Sequence, residues 1–257
     1  MSDSVSATPP TIIVHSMGKV GSSAIHDALA ECIDHSNADV EILHTYQLNL
    51  RTIKFLAAKF DKPVYHLVDA QRFMEQSERP HVTLISPVRE PISRNISAFF
   101  TNALQYGFPR DLADVKVDAL MDTFINRYPH SIPSRWFDEQ IREVFNIDVF
   151  AKPLDFSSGG CVIQNEQATL LLLRSEDRND LRETKIRSVT QLQSFTLERV
   201  NAADAKTYSD VYSAFKQQFR PPLEFLEEMY ETRFAKHFYT AGELTGFKRA
   251  WMKPSLR

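Results

Sequence analysis

Short β-branched runs alternate along this chain with longer stretches whose apolar residues recur every three or four positions. A continuous run such as Thr11-Ile12-Ile13-Val14-His15 suits a strand buried on both faces, and a three-to-four spacing suits an amphipathic helix. On that basis strands are predicted at 11–15, 40–44, 63–68, 82–86, 148–150 and 168–174. Helices are predicted at 22–32, 50–60, 92–102, 117–127, 135–145, 207–219 and 222–238. Strand and helix in alternation imply an α/β fold, a parallel sheet with helices on both faces. No internal repeat, long linker or low-complexity block interrupts the pattern. Residues 11–257 therefore read as a single domain behind a Ser/Thr/Pro-rich, disordered tail at 1–10.

Composition narrows the class without fixing it. The 257 residues can fill one α/β core. Thirty basic against 33 acidic side chains leave a formal charge of −3, which argues against a nucleic-acid binder. Cys32 and Cys161 lack zinc or redox spacing, so a reducing, cytoplasmic setting is expected. No apolar run is long enough for a membrane span, and the first ten residues lack the form of a signal peptide.

The stretch with the most chemistry is Ile12 to Ser23. A strand-type run enters the loop Ser16-Met17-Gly18-Lys19-Val20-Gly21, which opens into a helical pattern at Ser22-Ser23. A helix entered this way presents unpaired backbone N–H groups, and Lys19 adds a full positive charge. Two of the chain's seven glycines lie in this loop. The expected guest is a phosphate or sulfate. The Walker frame G-x-x-x-x-G-K-[ST] fits poorly, because Ser16 replaces the first glycine and Ser22 the lysine. The strand Val82-Thr83-Leu84-Ile85-Ser86-Pro87 also lacks a magnesium-holding aspartate. The loop reads as an anion cradle without a metal site.

A second segment, Val88-Arg89-Glu90-Pro91-Ile92-Ser93-Arg94-Asn95-Ile96-Ser97-Ala98-Phe99-Phe100, follows that strand. Arg89 stands at the carboxyl end of a strand, where ligands of open α/β sheets collect. Pro91 suits a first helical turn, and Ser93 and Ser97 share a helix face. Together the two segments resemble the sulfotransferases that use 3'-phosphoadenosine 5'-phosphosulfate (PAPS). Their loop S-x-x-K-x-G-[ST]-[ST] holds the 5'-phosphosulfate, and their R-[DEN]-P-x-x-R-x-x-S-x-[FY] motif holds the 3'-phosphate. The resemblance implies a three-layer, P-loop-like fold with a central parallel sheet. It assigns Ser16, Gly18, Lys19, Val20, Gly21, Ser22, Ser23, Arg89 and Ser97 to PAPS, with Ser93 and Arg94 as weaker candidates. Leu172 to Asp177 is similar to the R-x-E-D-L segment of carbohydrate sulfotransferases, with Arg178 in place of the leucine. Residues 129–138, 229–230 and 237–240 are similar to a bacterial group of capsular polysaccharide synthesis proteins.

Sulfuryl transfer needs a cation on the leaving phosphate and a base for the acceptor. Lys19 is the candidate cation. His44, at the end of the second strand, is the candidate base, as related enzymes carry a histidine or glutamate there. His15 is expected to support the loop, and His66, His130 and His237 rank lower. His130 with Arg135 is a possible contact for an acidic acceptor, while Trp136 and Phe137 suit core packing. Gly159-Gly160 suits a turn or a close approach to adenosine. The acceptor is a glycan or small metabolite, and the oligomeric state is open. Two other readings stay open: a P-loop kinase or phosphotransferase, and a nucleotide-binding protein without turnover.

Overall fold

The strand Thr11–His15 (β1) consists of β-branched and aliphatic residues ending in histidine, and all five are buried. A run with no polar face belongs in the middle of a sheet, and β1 lies there. It pairs in parallel with Glu41–Thr45 (β2) on one side and with Val82–Val88 (β3) on the other. The computed structural model describes residues 10–59, 64–197 and 208–252. Its sheet has the order β2-β1-β3-β5-β4, with Ala168–Arg174 as β5 parallel to β3 and Cys161–Gln164 as β4 antiparallel on the edge. The α/β expectation holds. The tail predicted at 1–10 falls outside the described residues except for Pro10.

The described chain forms two compact units. The first contains residues 10–88 and 136–197, the second 89–135 and 208–252. In the first, one sheet face presents Ile12, Val14, Ile85, Leu171 and Leu173 to Ser22–Ser36 (α1) and Asn179–Thr190 (α8) through Ile25, Leu29 and Ile186. On the opposite face the His15 ring meets Trp136 at 4.7 Å. The helices Leu50–Ala57 (α2) and Tyr65–Met74 (α3) complete this unit beside β2. The helix Ile132–Phe137 (α6) continues through a wide turn at Asp138–Arg142 into Glu143–Phe145 (α7).

The second unit is helical. Its centre is Pro91–Thr101 (α4), whose Phe99 and Phe100 meet rings from Val117–Arg127 (α5) and Ser209–Gln218 (α9). Phe99 lies 5.5 Å from Phe124, and Phe100 lies 5.2 Å from Phe215. Leu223–Tyr230 (α10), Arg233–Phe238 (α11) and Ala241–Met252 (α12) follow.

Several predicted elements change. The strand expected at 63–68 is α3 from Tyr65 onward, because Leu67, Ala70 and Phe73 are buried at helical spacing. The strand expected at 148–150 is a turn in which the Phe150 N–H donates to Asp148 Oδ1. The helix expected at 222–238 is two helices, because Thr232 caps a new one by accepting from the Ala235 N–H. β4, α8 and α12 were not expected. Gly159 has a left-handed φ of 86°, and an added Cβ there would stand 2.5 Å from the Leu181 backbone carbon. That glycine serves close packing against α8, which leaves no room for adenosine at that point.

Candidate functional site

The order of the strands sets where ligands can gather. The chain leaves β1 for β2 on one side and returns to β3 on the other. The switch point of this open parallel sheet therefore lies at the carboxyl ends of β1 and β3. The loop Ser16 to Gly21 starts at that edge.

Its backbone is bent by three left-handed residues: Gly18 at φ 75°, Lys19 at 63° and Gly21 at 81°. Lysine pays for that conformation where glycine does not, a cost of about 1–2 kcal/mol. Left-handed turns of this kind point successive N–H groups into one concavity that suits an anion. Ser16 is buried, and its Oγ accepts from the Gly18 N–H at 3.2 Å, which holds the turn. Gly21 is the N-cap of α1 and brings no side-chain cap. The space its Cβ would enter holds nothing within 4 Å. Val20 is fully buried, Ser22 is buried, and Ser23 is exposed.

Ser175 fastens this loop to the sheet. Its Oγ lies 2.7 Å from the Val20 carbonyl oxygen and 2.9 Å from that of Val88, the last residue of β3. Arg174 beside it forms a two-pronged pair with Asp177, with its guanidinium 5.0 Å from the Phe156 ring. The Leu172 to Asp177 segment thus braces the loop from below. Nothing in the sequence singled out Ser175 for that role.

His44 reaches the loop from β2. Its Nε2 lies 3.1 Å from Ser22 Oγ, at the first turn of α1. The ring stacks on His26 at 5.3 Å and meets Tyr46 at 5.1 Å, and Tyr46 in turn meets His66. Burial first, then the neighbouring His26, lowers the His44 pKa to about 4. The imidazole is therefore neutral at pH 7 and holds a lone pair for a proton. His66 is lowered by burial as well. His15 is completely buried, and its Nδ1 donates to the Thr45 carbonyl at 3.1 Å. Burial brings its pKa to about 4. It ties the end of β1 to β2 inside the core, next to the start of the loop.

The second motif lies in the second unit. Arg89 directly follows β3 in the chain and is half-buried. Glu90 caps α4: its carboxylate accepts from the Ile92 and Ser93 N–H groups at 2.9 and 2.7 Å and from the Tyr230 hydroxyl at 2.6 Å. Ser97 is half-buried one turn beyond Ser93. Arg94 turns inward. It is buried and donates to Asn95 Oδ1 at 3.0 Å and the Tyr128 hydroxyl at 3.1 Å, so it braces the core of this unit. His130 is also a brace, with Nε2 donating to the Phe124 carbonyl at 2.8 Å. Both are withdrawn as ligand contacts.

One cation was missed. Lys216 of α9 is 5.0 Å from the Tyr212 ring, on a helix packed against α4 through Tyr212 and Phe215. Its side chain is exposed by surface area, and partial shielding from water by the neighbouring packing, then the charge of Arg89, lowers its pKa. The positive charge of Arg89 acts on Lys216, so the two cations belong to one local field. No motif marks Lys216, because Arg89, whose charge acts on it, is 127 positions away in sequence and the packing of α9 on α4 sets that neighbourhood.

Among the described residues no group of His, Cys, Asp and Glu is placed to hold a metal ion. No helix among them is long and apolar enough to cross a membrane.

Comparison with known proteins gives one family. Residues 111–240 match the NKWYS family, described as "Putative capsular polysaccharide synthesis protein". The matched stretch contains the segments 129–138, 229–230 and 237–240 that resembled such proteins, while Lys19, His44, Arg89 and Ser97 lie before it. No curated protein and no solved structure matches. With just over half of its length inside the match, the chain belongs to the NKWYS family of capsular polysaccharide synthesis proteins.

Proposed function

We propose that this chain is a sulfotransferase that moves a sulfuryl group from PAPS to a hydroxyl or amine of a glycan or small metabolite. The observation that carries the reading is the loop from Ser16 to Gly21. It combines three left-handed residues, a lysine among them, an α1 terminus without a side-chain cap, and a histidine in contact with the first turn. Those groups fit a phosphosulfate: converging N–H donors, one cation and the Ser22 hydroxyl. In this reading Ser16, Gly18, Lys19, Val20, Gly21, Ser22 and Ser23 form the cradle for the 5'-phosphosulfate. Arg89 and Ser97 take the 3'-phosphate, with Lys216 beside Arg89 adding charge.

When bound, PAPS supplies an activated sulfuryl group. Lys19 places positive charge where the departing phosphate oxygen gathers negative charge. Loss of a donor of that kind costs about 3–4 kcal/mol of barrier. His44 accepts the acceptor's proton at Nε2 once Ser22 Oγ turns to the ligand. The family's polysaccharide description supports a glycan as acceptor.

Calorimetry with adenosine 3',5'-bisphosphate, with and without Mg²⁺, tests the cofactor. Binding that needs no Mg²⁺ is expected, and Arg89→Ala and Lys216→Ala should each weaken it by about tenfold, the loss of one charged contact. Transfer of labelled sulfate to a glycan panel tests the reaction, and Lys19→Ala should abolish turnover while binding falls modestly. ATP binding that requires Mg²⁺, with no response to the bisphosphate, would replace the reading with a phosphotransferase. Bisphosphate binding with no transfer to any acceptor would leave a nucleotide-binding protein.

A further inference from the structure

The chain breaks its helix between α10 and α11, and α12 returns past the break. A cleft of about 360 Å³ opens there, within the second unit. Its two sides differ in character. On one, Tyr230 and Tyr239 meet the Phe247 ring, stacked at 6.3 Å and edge-on at 5.2 Å, with Leu244 beside them. On the other, the carboxylate of Glu231 pairs with Lys236 and, at 3.9 Å, with Lys248. Two ammonium groups around one carboxylate leave a net charge of +1. A separation of 3.9 Å is too long for a hydrogen bond, so the Lys248 ion pair consumes none of that ammonium's three donors.

We propose that this cleft binds an acidic sugar, a pyranose that carries a carboxylate. The lysines take the carboxylate, and the wall formed by Ala241, Leu244 and Thr245 faces the ring, with the buried tyrosines behind it as its rigid backing. The volume stands at the small end of ligand pockets, roughly 300–1,000 Å³, which is room for about one sugar ring. The sugar part of the ligand rests on the glycan reading above, and the anionic part rests on the lysines. The cleft lies over a buried residue that supports α4. Tyr230 lines it and donates its hydroxyl to Glu90, the residue that caps the helix bearing Ser97.

The Glu231–Lys236 pair is exposed and the Glu231–Lys248 pair is long and half-buried, so each adds little to folding stability and lysine variants should remain folded. The experiment titrates the full chain, without nucleotide, with sodium D-glucuronate, D-glucose and sodium sulfate at constant ionic strength, followed by NMR shifts. Glucuronate should bind about tenfold more tightly than either of the others. Lys248→Ala and Lys236→Ala should each weaken it by about fivefold with unchanged melting temperature, and Lys248→Arg should retain most of it. Equal binding of glucose and glucuronate, sulfate binding as tight as glucuronate, or no response in the shifts of α11 and α12 would overturn the proposal. So would a Lys248→Ala, Lys236→Ala double variant that binds like the native chain. Because no nucleotide is present, these outcomes are independent of whether PAPS binds.

Discussion

At the scale of single residues, the informative contact is His44 with Ser22. A histidine that must take a proton works best with a pKa near the working pH, yet burial and His26 hold His44 at about 4. A dianionic ligand at the first turn of α1 would favour the protonated imidazole and raise that value toward 6.5. The base must be neutral to act, so activity is lost as pH falls. With saturating PAPS, the acid limb of kcat/KM for the acceptor should have its midpoint between about 4 and 6.5, the limits set by the buried and ordinary values. His44→Gln should remove that limb and lower the plateau by about 10²–10⁴-fold, the usual worth of a positioned base. A pH–rate profile that keeps the limb in His44→Gln would assign the base to another residue.

At the scale of elements, α4 shows what sequence motifs carry and what they conceal. The R-x-P pattern drew attention to Arg89 and Ser97, while Glu90 between them holds the helix in place. Its carboxylate serves two helix amides and a buried tyrosine hydroxyl. Removal by Glu90→Ala leaves all three without that acceptor. A lost N-cap costs about 1 kcal/mol and an unsatisfied buried hydroxyl about 1–3. Glu90→Ala should thus lower stability by about 2–4 kcal/mol in urea unfolding, and Glu90→Gln, which keeps one acceptor oxygen, by about half as much. A loss below about 0.5 kcal/mol for Glu90→Ala would show that the cap is dispensable. Elements with one strong periodicity were readable in the same way: β1, α5 and β5 fall where the apolar pattern placed them. α8 and α12 were not, because each buries very little. α8 sinks Arg182 and Ile186, and α12 sinks Leu244. β4 alternates between half-buried and exposed positions, so it has no apolar face to announce it.

At the scale of the whole molecule, the local pieces of the candidate site were legible and their setting was not. Lys19 and Arg89 stand in recognisable strings, whereas Ser175 and Lys216 acquire their roles from distant partners that a linear pattern does not record. His15 belongs to both classes. Its place before the loop suggested support, but only the fold buries it completely against Trp136 and gives its Nδ1–H the Thr45 carbonyl. Burial brings its pKa from 6.5 to about 4, and that depression has a consequence for the stability of the entire chain. Above pH 6.5 the ring is neutral whether the chain is folded or not, and its contribution is intact. As pH falls from 6.5 toward 4 the unfolded chain takes up a proton that the folded chain refuses, so stability declines. Carried to completion, the loss is about 3 kcal/mol for this ring. His44 is lowered as well and acts in the same direction, so the contribution of His15 is read by difference. His15→Asn keeps an N–H near the Thr45 carbonyl and removes the titrating group. Native chain and variant should differ in unfolding free energy at pH 7, and that gap should narrow by about 2 kcal/mol at pH 4.5. Urea unfolding at the two pH values measures it, and a gap that does not change would mean the buried ring titrates in the folded protein as it does in water.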